Sequence, residues 1–115
     1  MNDKCQQAWD LYLTMDTSPE SLQILQLIAN ESYRRAKFWF AFKAFDMLER
    51  LEPLAEYWEG KRGACAGLMQ MIMAGKENRQ RLSDVVQLLR NSSNSQVEQM
   101  IRIIKKWAKD NRINI

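Results

Sequence analysis

Apolar side chains recur at spacings of three and four residues along most of this chain, and no other feature constrains its fold as strongly. This spacing places apolar groups on one face of an α-helix. Only 4 glycines and 2 prolines occur in the 115 residues, so the periodic segments are long. The sequence therefore predicts an all-α fold of about six helices, arranged as antiparallel hairpins.

Polar and helix-stopping residues separate the periodic segments. A helix is predicted to begin near Pro19, through a capping box from Thr17 to Glu20 or through a cap by Ser18. Pro53 and Gly75 are expected to end the third and fourth helices. Ser95 and Glu98 form a further capping box. The predicted helices cover approximately 4–15, 19–35, 38–51, 55–74, 78–90 and a last segment from 95 to about 110.

The residues most used in catalysis and metal binding are scarce. Histidine is absent, which removes the commonest general acid–base group and metal ligand. Cys5 and Cys65 lie too far apart for a structural zinc site and are expected to be two buried thiols. The acidic pairs Glu49/Glu52 and Glu56/Glu59 are interpreted as solvated helix surface. We therefore expect no enzyme, no metal and no cofactor.

The fourth predicted helix contains four small residues on one face. Gly60, Gly63, Ala64 and Gly67 recur at spacings of three and four, although each glycine destabilises a helix by roughly 1 kcal/mol relative to alanine. Close approach of a neighbouring helix backbone is the expected reason, with a functional groove as the alternative.

The charge is distributed unevenly. Residues 1–60 carry 6 basic and 10 acidic side chains, a net −4, whereas residues 61–115 carry 11 basic and 4 acidic ones, a net +7. Trp107 lies among Lys105, Lys106 and Lys109, a pattern that also occurs in nucleic-acid-binding helices. Helical periodicity instead places Trp107 on the apolar side with the lysines in water. A basic nucleic-acid-binding module is thus the alternative to a protein-interaction module.

Aromatic residues cover more than one side of the third predicted helix. Phe38, Phe42 and Phe45 fit its apolar stripe, but Trp39 and Phe40 lie outside it. Trp39 and Phe40 are therefore the candidates for an inter-repeat or partner surface.

The second and third helices fit one degenerate tetratricopeptide repeat, at residues 22–55. The small residues Ala29 and Ala41 are expected where the two helices cross closely, and Phe45 between repeats. Ser32 and Ala36 depart from the pattern, because an aromatic residue and a glycine are usual there. The matching positions are Leu25, Ile28, Ala29, Ala41, Phe45 and Pro53. The fold predicted for residues 1–115 is the end of a tetratricopeptide-repeat-like α-solenoid, with C-terminal helices at about 55–110.

Several short runs carry a closer resemblance, from about residue 8 to 115. They are LIAN at 27–30, KAFDMLERL at 43–51, EYWEGKRGAC at 56–65, QVE at 96–98, IRI at 101–103 and KKWAKDNR at 105–112. In this order they resemble the C-terminal region of the tetratricopeptide-repeat subunit of intraflagellar transport complex B, the DYF-thirteen type. The chain departs from that pattern at Ala36, at Phe42 and through residues 77–83.

The resemblance implies a non-catalytic scaffold that supports assembly of cilia and flagella and transports motility cargo. It implies a location in the cilium or flagellum and basal body with a cytoplasmic pool. The partners would be other complex B subunits, the forty-six-kilodalton core subunit being one candidate, with no nucleic acid. Contact residues would come from Trp39, Phe40, Lys105, Lys106 and Lys109.

No apolar run is long enough to span a membrane. Self-association is expected around Trp9 and Tyr12, where a missing neighbour would leave an apolar stripe uncovered.

Overall fold

A computed structural model describes residues 4–90 and 96–113, with side chains from Gln6 onward. Throughout these ranges every regular element is a helix, as the sequence predicted. The elements are α1 (Lys4–Leu13), α2 (Pro19–Arg34), α3 (Phe38–Leu51), α4 (Ala55–Met73), α5 (Gln80–Arg90) and α6 (Val97–Asp110). No helix in this part of the chain is both long and apolar enough to cross a membrane.

The backbone angles and hydrogen bonds at the start of α2 show which of the two predicted caps forms. Ser18 has extended backbone angles, and its hydroxyl accepts a hydrogen bond from the Ser21 amide at 3.2 Å. The Ser21 hydroxyl in turn accepts one from the Ser18 amide at 2.9 Å. Pro19 occupies the first helical position, where no amide hydrogen is needed. The capping box therefore joins Ser18 to Ser21 rather than Thr17 to Glu20.

Left-handed residues follow three helices, α2, α4 and α6, the last of them being Arg112 with φ 57°. Ala36 has φ 60° after α2, and Gly75 has φ 73° after α4. Gly75 is the predicted stop, and the Lys76 amide donates to the Met71 carbonyl at 2.9 Å, which closes the helix end. Ala36 lies where the repeat pattern usually has glycine, so its methyl group is held in a conformation that favours glycine. The predicted capping box at Ser95 falls on residue 95, which is outside the described ranges, and α6 itself begins at Val97.

The contacts divide the chain into two compact units, Met1–Gly67 and Leu68–Ile115. In the first unit α2 and α3 are separated by three residues and pack along each other as an antiparallel hairpin, with α1 against both. The buried repeat positions are Leu25, Ile28, Ala29, Ala41 and Phe45. Pro53 is exposed between α3 and α4. The predicted division at about residue 55 stays a prediction.

The second unit contains the hairpin of α5 and α6, which pack against each other. Each helix buries one apolar face, while the opposite face is polar. The buried residues are Leu82, Val85, Val86 and Leu89 on α5, and Val97, Met100, Ile104 and Ala108 on α6.

Candidate protein-interaction site

Lys61 on α4 is the centre of a buried ion-pair network in the first unit. Its side chain has 0% exposure, and its ammonium nitrogen lies 2.7 Å from Asp46 Oδ1 and 3.2 Å from Glu49 Oε1, both on α3. The Arg50 Nε lies 3.1 Å from the other oxygen of Asp46. A charge removed from water needs such partners, because unpaired burial is very costly. Two cations and two carboxylates thus balance in a network that links α3 to α4.

The surroundings of Lys61 are aromatic and dry. Its ammonium nitrogen lies 5.4 Å from the Trp58 ring centroid and 5.8 Å from that of Phe42. One turn further along α4, burial raises the pKa of the Cys65 thiol from 9.0 to about 12, although the nearby Lys61 charge lowers it. Cys65 is therefore the buried thiol that the sequence predicted; the Cys5 side chain lies outside the described part. The network joins α3 to α4.

The sequence interpretation missed this network. Glu49 was assigned to a solvated pair with Glu52, but it pairs with Lys61. Glu59 pairs with Arg62 at 3.2 Å on the surface. A signal was available, since Asp46 and Glu49 are three apart on the hairpin helix that α4 follows. Their partner could not be identified, because helical periodicity alone does not say which cation meets them.

The glycines of α4 approach aromatic rings rather than a helix backbone. A Cβ on Gly60 would lie 2.6 Å from Phe45 Cε1, and one on Gly67 would lie 2.6 Å from Phe38 Cε1. At Gly63 the nearest atom is the Tyr33 hydroxyl oxygen, at 2.7 Å. The expectation of close packing is therefore confirmed, but the expected contact with a neighbouring backbone is wrong. Aromatic side chains from α2 and α3 fill the space that a methyl group would occupy.

Trp39 and Phe40, the predicted anchors, are half-buried around a lysine. The Lys43 ammonium nitrogen lies 4.7 Å from the Phe40 centroid, 5.3 Å from that of Trp39 and 4.7 Å from that of Trp9 on α1. A cation over ring faces at such distances is attracted by the ring quadrupole. We call Trp39, Phe40 and Lys43 the α3 cation–aromatic cluster. Trp9 completes it from the neighbouring helix.

An apolar groove lies between α1 and α2. Its volume is about 250 Å³, and it is lined by Ala8, Ile24, Leu27, Ile28, Glu31, Ser32 and Arg35. Leu27 is 61% exposed beside it, and Leu11 on α1 is 60% exposed. Neither leucine was selected from the sequence, although both lie off the buried stripe of their helices. Exposed apolar groups beside a groove are typical of protein contacts.

A second groove lies among α2, α3 and α4 and is more polar. It has a volume of about 340 Å³, and its lining consists of Gln26, Asn30, Phe45, Leu48, Glu56 and Tyr57. The Gln26 amide donates to the Tyr57 hydroxyl at 2.9 Å, and both residues line the groove. This groove can accept polar groups, whereas the α1–α2 groove accepts apolar ones.

The basic candidates lie on the outer face of α6 in the second unit. Lys105, Lys106 and Lys109 are all exposed. Trp107 is half-buried, and Ile103 is 58% exposed next to the lysines. The structure therefore brings the three lysines together on one helix, while Trp39 and Phe40 belong to the other unit.

In the described residues there is no group of three or more Cys, Asp or Glu side chains that could hold a metal ion.

Two comparisons with known proteins identify the family of this chain. A protein-family model described as "Intraflagellar transport protein 56" matches residues 1–115. A protein from Caenorhabditis elegans named "Intraflagellar transport protein 56 homolog" is 33% identical over 117 aligned residues, which cover 99% of this chain. The chain spans 20% of that relative's length. It belongs to the intraflagellar transport protein 56 family.

Proposed function

We propose that this chain is the C-terminal helical region of the DYF-thirteen-type subunit of intraflagellar transport complex B and acts there as a non-catalytic interaction scaffold. The observation that carries the proposal is the family match over residues 1–115. The associated location is the cilium or flagellum and its basal body, with a cytoplasmic pool. The associated process is cilium assembly and delivery of motility cargo.

The surface chemistry supports a scaffold. Both units expose large apolar side chains beside charged ones, Leu11 and Leu27 in the first and Ile103 in the second. Interfaces commonly combine apolar anchors with a polar rim. The charged groups of the first unit's core, in contrast, are paired as Lys61 is with Asp46.

The basic face of α6 is proposed to meet an acidic segment of another complex B subunit. Lys105, Lys106 and Lys109 are exposed and screened by water, so they are expected to accelerate association more than they tighten binding. The exposed Ile103 offers the apolar contact beside them. The forty-six-kilodalton core subunit is one candidate partner.

The test is surface binding kinetics of the folded chain against each complex B subunit. Charge reversal of Lys105, Lys106 and Lys109 to glutamate should slow association in a salt-dependent way. A charge-matched control reverses Lys76, Arg79 and Arg90, which are also exposed in the second half of the chain but lie outside α6. An equal effect of both triple variants would contradict a specific contact through α6.

A nucleic-acid-binding module is the second candidate, favoured by one observation. Trp107 is half-buried rather than fully buried, so part of its ring is open to solvent on the helix that carries the exposed lysines. Filter binding of single-stranded RNA and DNA over a range of salt concentrations distinguishes the two functions. Tight, steeply salt-dependent retention, with no binding of any complex B subunit at micromolar concentration, would overturn the scaffold proposal.

A further inference from the structure

The attachment of α1 to the rest of the first unit centres on one of its described side chains. Of the described α1 side chains, Gln6 to Leu13, Trp9 is the buried one. Ala8 and Tyr12 are half-buried, while Leu11 and Leu13 point mainly into water. The 10 described residues of α1 are too few to form a stable helix by themselves and need such packing. Loss of the Trp9 contact should therefore release α1.

The surface that contacts Trp9 is formed by residues of α3 alone. Phe40 and Lys43 are three apart and Trp39 and Lys43 are four apart, so the three side chains share one face of α3. Trp39 also lies nearly parallel to the buried Phe42, at 6.4 Å between centroids and 7° between planes. This stacking holds Trp39 in place whether or not α1 is bound. The α3 cation–aromatic cluster is therefore a preformed site for one more ring.

The connection between α1 and α2 lets α1 move as a unit. α1 ends in a turn in which the Met15 amide donates to the Tyr12 carbonyl at 3.0 Å. α2 begins with its own cap, the reciprocal hydrogen bonds of Ser18 and Ser21. The beginning of α2 is thus satisfied by local groups, so α1 can leave without unwinding it.

We propose that the α3 cation–aromatic cluster is an exchangeable docking site for a helix of another protein that presents an aromatic side chain, and that α1 occupies this site until that helix binds. The proposal rests on the proposed scaffold function. The chemistry of the occupant follows from Trp9, whose ring face meets the Lys43 ammonium while neighbouring rings shield it. It also explains how Trp39 and Phe40 can contact a partner although Trp9 of α1 contacts the Lys43 that they surround.

Amide hydrogen exchange tests whether α1 is released as a unit. Lys43→Met should accelerate exchange in residues 6–13 by about tenfold, because the ring–cation contact is lost, and Trp9→Ala should accelerate it more, because the buried indole is lost as well. Leu13→Ala is the matched control, since Leu13 is on the same helix and exposed. Protection in α2 and α3 should be unchanged in all three variants. Unchanged exchange in α1, or equal loss of protection throughout the unit, would overturn the proposal.

A peptide in trans tests whether the vacated site accepts an aromatic helix. The probe is a labelled synthetic peptide of residues 4–17, added to the Trp9→Ala chain with its helix content checked by circular dichroism. Saturable binding is expected, with a Trp9→Ala peptide binding about tenfold more weakly. The unaltered chain should bind the peptide more weakly than the Trp9→Ala chain, because its own α1 competes. Equal binding of both peptides would contradict the proposal, and since no transport subunit is present, this outcome leaves the scaffold function untouched.

Discussion

Helix α3 contacts two lysine ammonium groups in the first unit, and the two are stabilised by different chemistry. Lys61, which comes from α4, is fully buried and lies against the carboxylates of Asp46 and Glu49. Lys43, on α3 itself, is half-buried and lies among aromatic rings. Carboxylates can compensate a desolvated cation, whereas rings do so only in part and suit a cation that keeps some contact with water.

The difference separates a permanent contact from a reversible one. If Lys61 moved away, two carboxylates would be left in a dry environment, so the α3–α4 contact is costly to open. If Trp9 moved away from Lys43, the ammonium would gain water and the rings of α3 would remain stacked. The first contact is therefore expected to fix the fold and the second to permit exchange.

The largest expected effect comes from Lys61→Met. This change keeps the apolar stem but leaves Asp46 with only Arg50 and removes the short contact to Glu49. Breaking a buried pair typically destabilises by about 3 to 5 kcal/mol. The free energy of unfolding should fall by about this amount in urea denaturation followed by circular dichroism.

The neighbouring Arg62→Met is the control for that experiment. Arg62 pairs with Glu59 at 3.2 Å, but both side chains are more than half exposed. Exposed pairs contribute about 0 to 1 kcal/mol, so this variant should unfold almost as the unaltered chain does. Similar losses of unfolding free energy in Lys61→Met and Arg62→Met would show that burial does not distinguish the two ion pairs.

The second prediction uses the reactivity of Cys65 to measure how far the α3–α4 contact excludes water. With the pKa raised from 9.0 to about 12, the thiolate fraction at neutral pH should be about a thousandfold below that of the unfolded chain. Iodoacetamide labelling, followed by mass spectrometry of the Cys65 peptide, should therefore be slow in the folded chain and fast in guanidinium. Folded-state labelling as rapid as unfolded labelling would contradict the assigned burial.

The same shift has a consequence for stability at high pH. The unfolded thiol loses its proton near pH 9 while the folded thiol keeps it, so the unfolded state binds fewer protons between pH 9 and about 12. The contribution of Cys65 to stability should therefore decrease as pH rises through this range. Replacement of Cys65 by alanine, measured over the same pH range, isolates that contribution.

The third prediction concerns the rings that pack against α4. Gly60→Ala places a methyl group 2.6 Å from the buried Phe45 ring, so overpacking of about 1 to 3 kcal/mol is expected. In Gly63→Ala, the atom in the way is the hydroxyl of the exposed Tyr33, which can move aside. Gly63→Ala should thus be neutral or gain up to about 1 kcal/mol from helix propensity. Thermal unfolding measures the difference in stability between the two variants. Equal unfolding midpoints would show that burial of the facing ring does not determine the effect of the added methyl group.

The helices were predictable from the sequence because their signals are local. Apolar periodicity, Pro19, Pro53 and Gly75 each act within a few residues, and the observed helix ends lie within two residues of most predicted ones. The buried repeat positions such as Ala29 and Ala41 followed from the same periodicity.

The candidate sites were harder to predict, because they depend on which helix faces meet. A lysine in a helical pattern is normally a surface residue, so Lys61 gave no sign of its complete burial. Trp39 and Phe40 were identified as lying outside the apolar stripe, but the approach of Trp9 to the neighbouring Lys43 depends on the position of α1. Helical spacing identifies which residues share a face of a helix. Which other helix that face packs against depends on the tertiary structure.

The smallest expected effect, and the sharpest test of the two-lysine comparison, is a double-mutant cycle between Trp9 and Lys43. Trp9→Ala, Lys43→Met and the double variant should give a coupling free energy of about 1 kcal/mol in urea denaturation, as expected for a half-exposed cation over a ring. The corresponding cycle of Lys61→Met with Asp46→Asn should give a larger coupling, because its charges are buried. High salt should leave the buried pair nearly unaffected and weaken the Lys43 contact only slightly, since rings carry no net charge. If the Trp9–Lys43 coupling equalled or exceeded the Lys61–Asp46 coupling, α1 would be fixed as firmly as α4, and exchange at the α3 cation–aromatic cluster would lose its energetic basis.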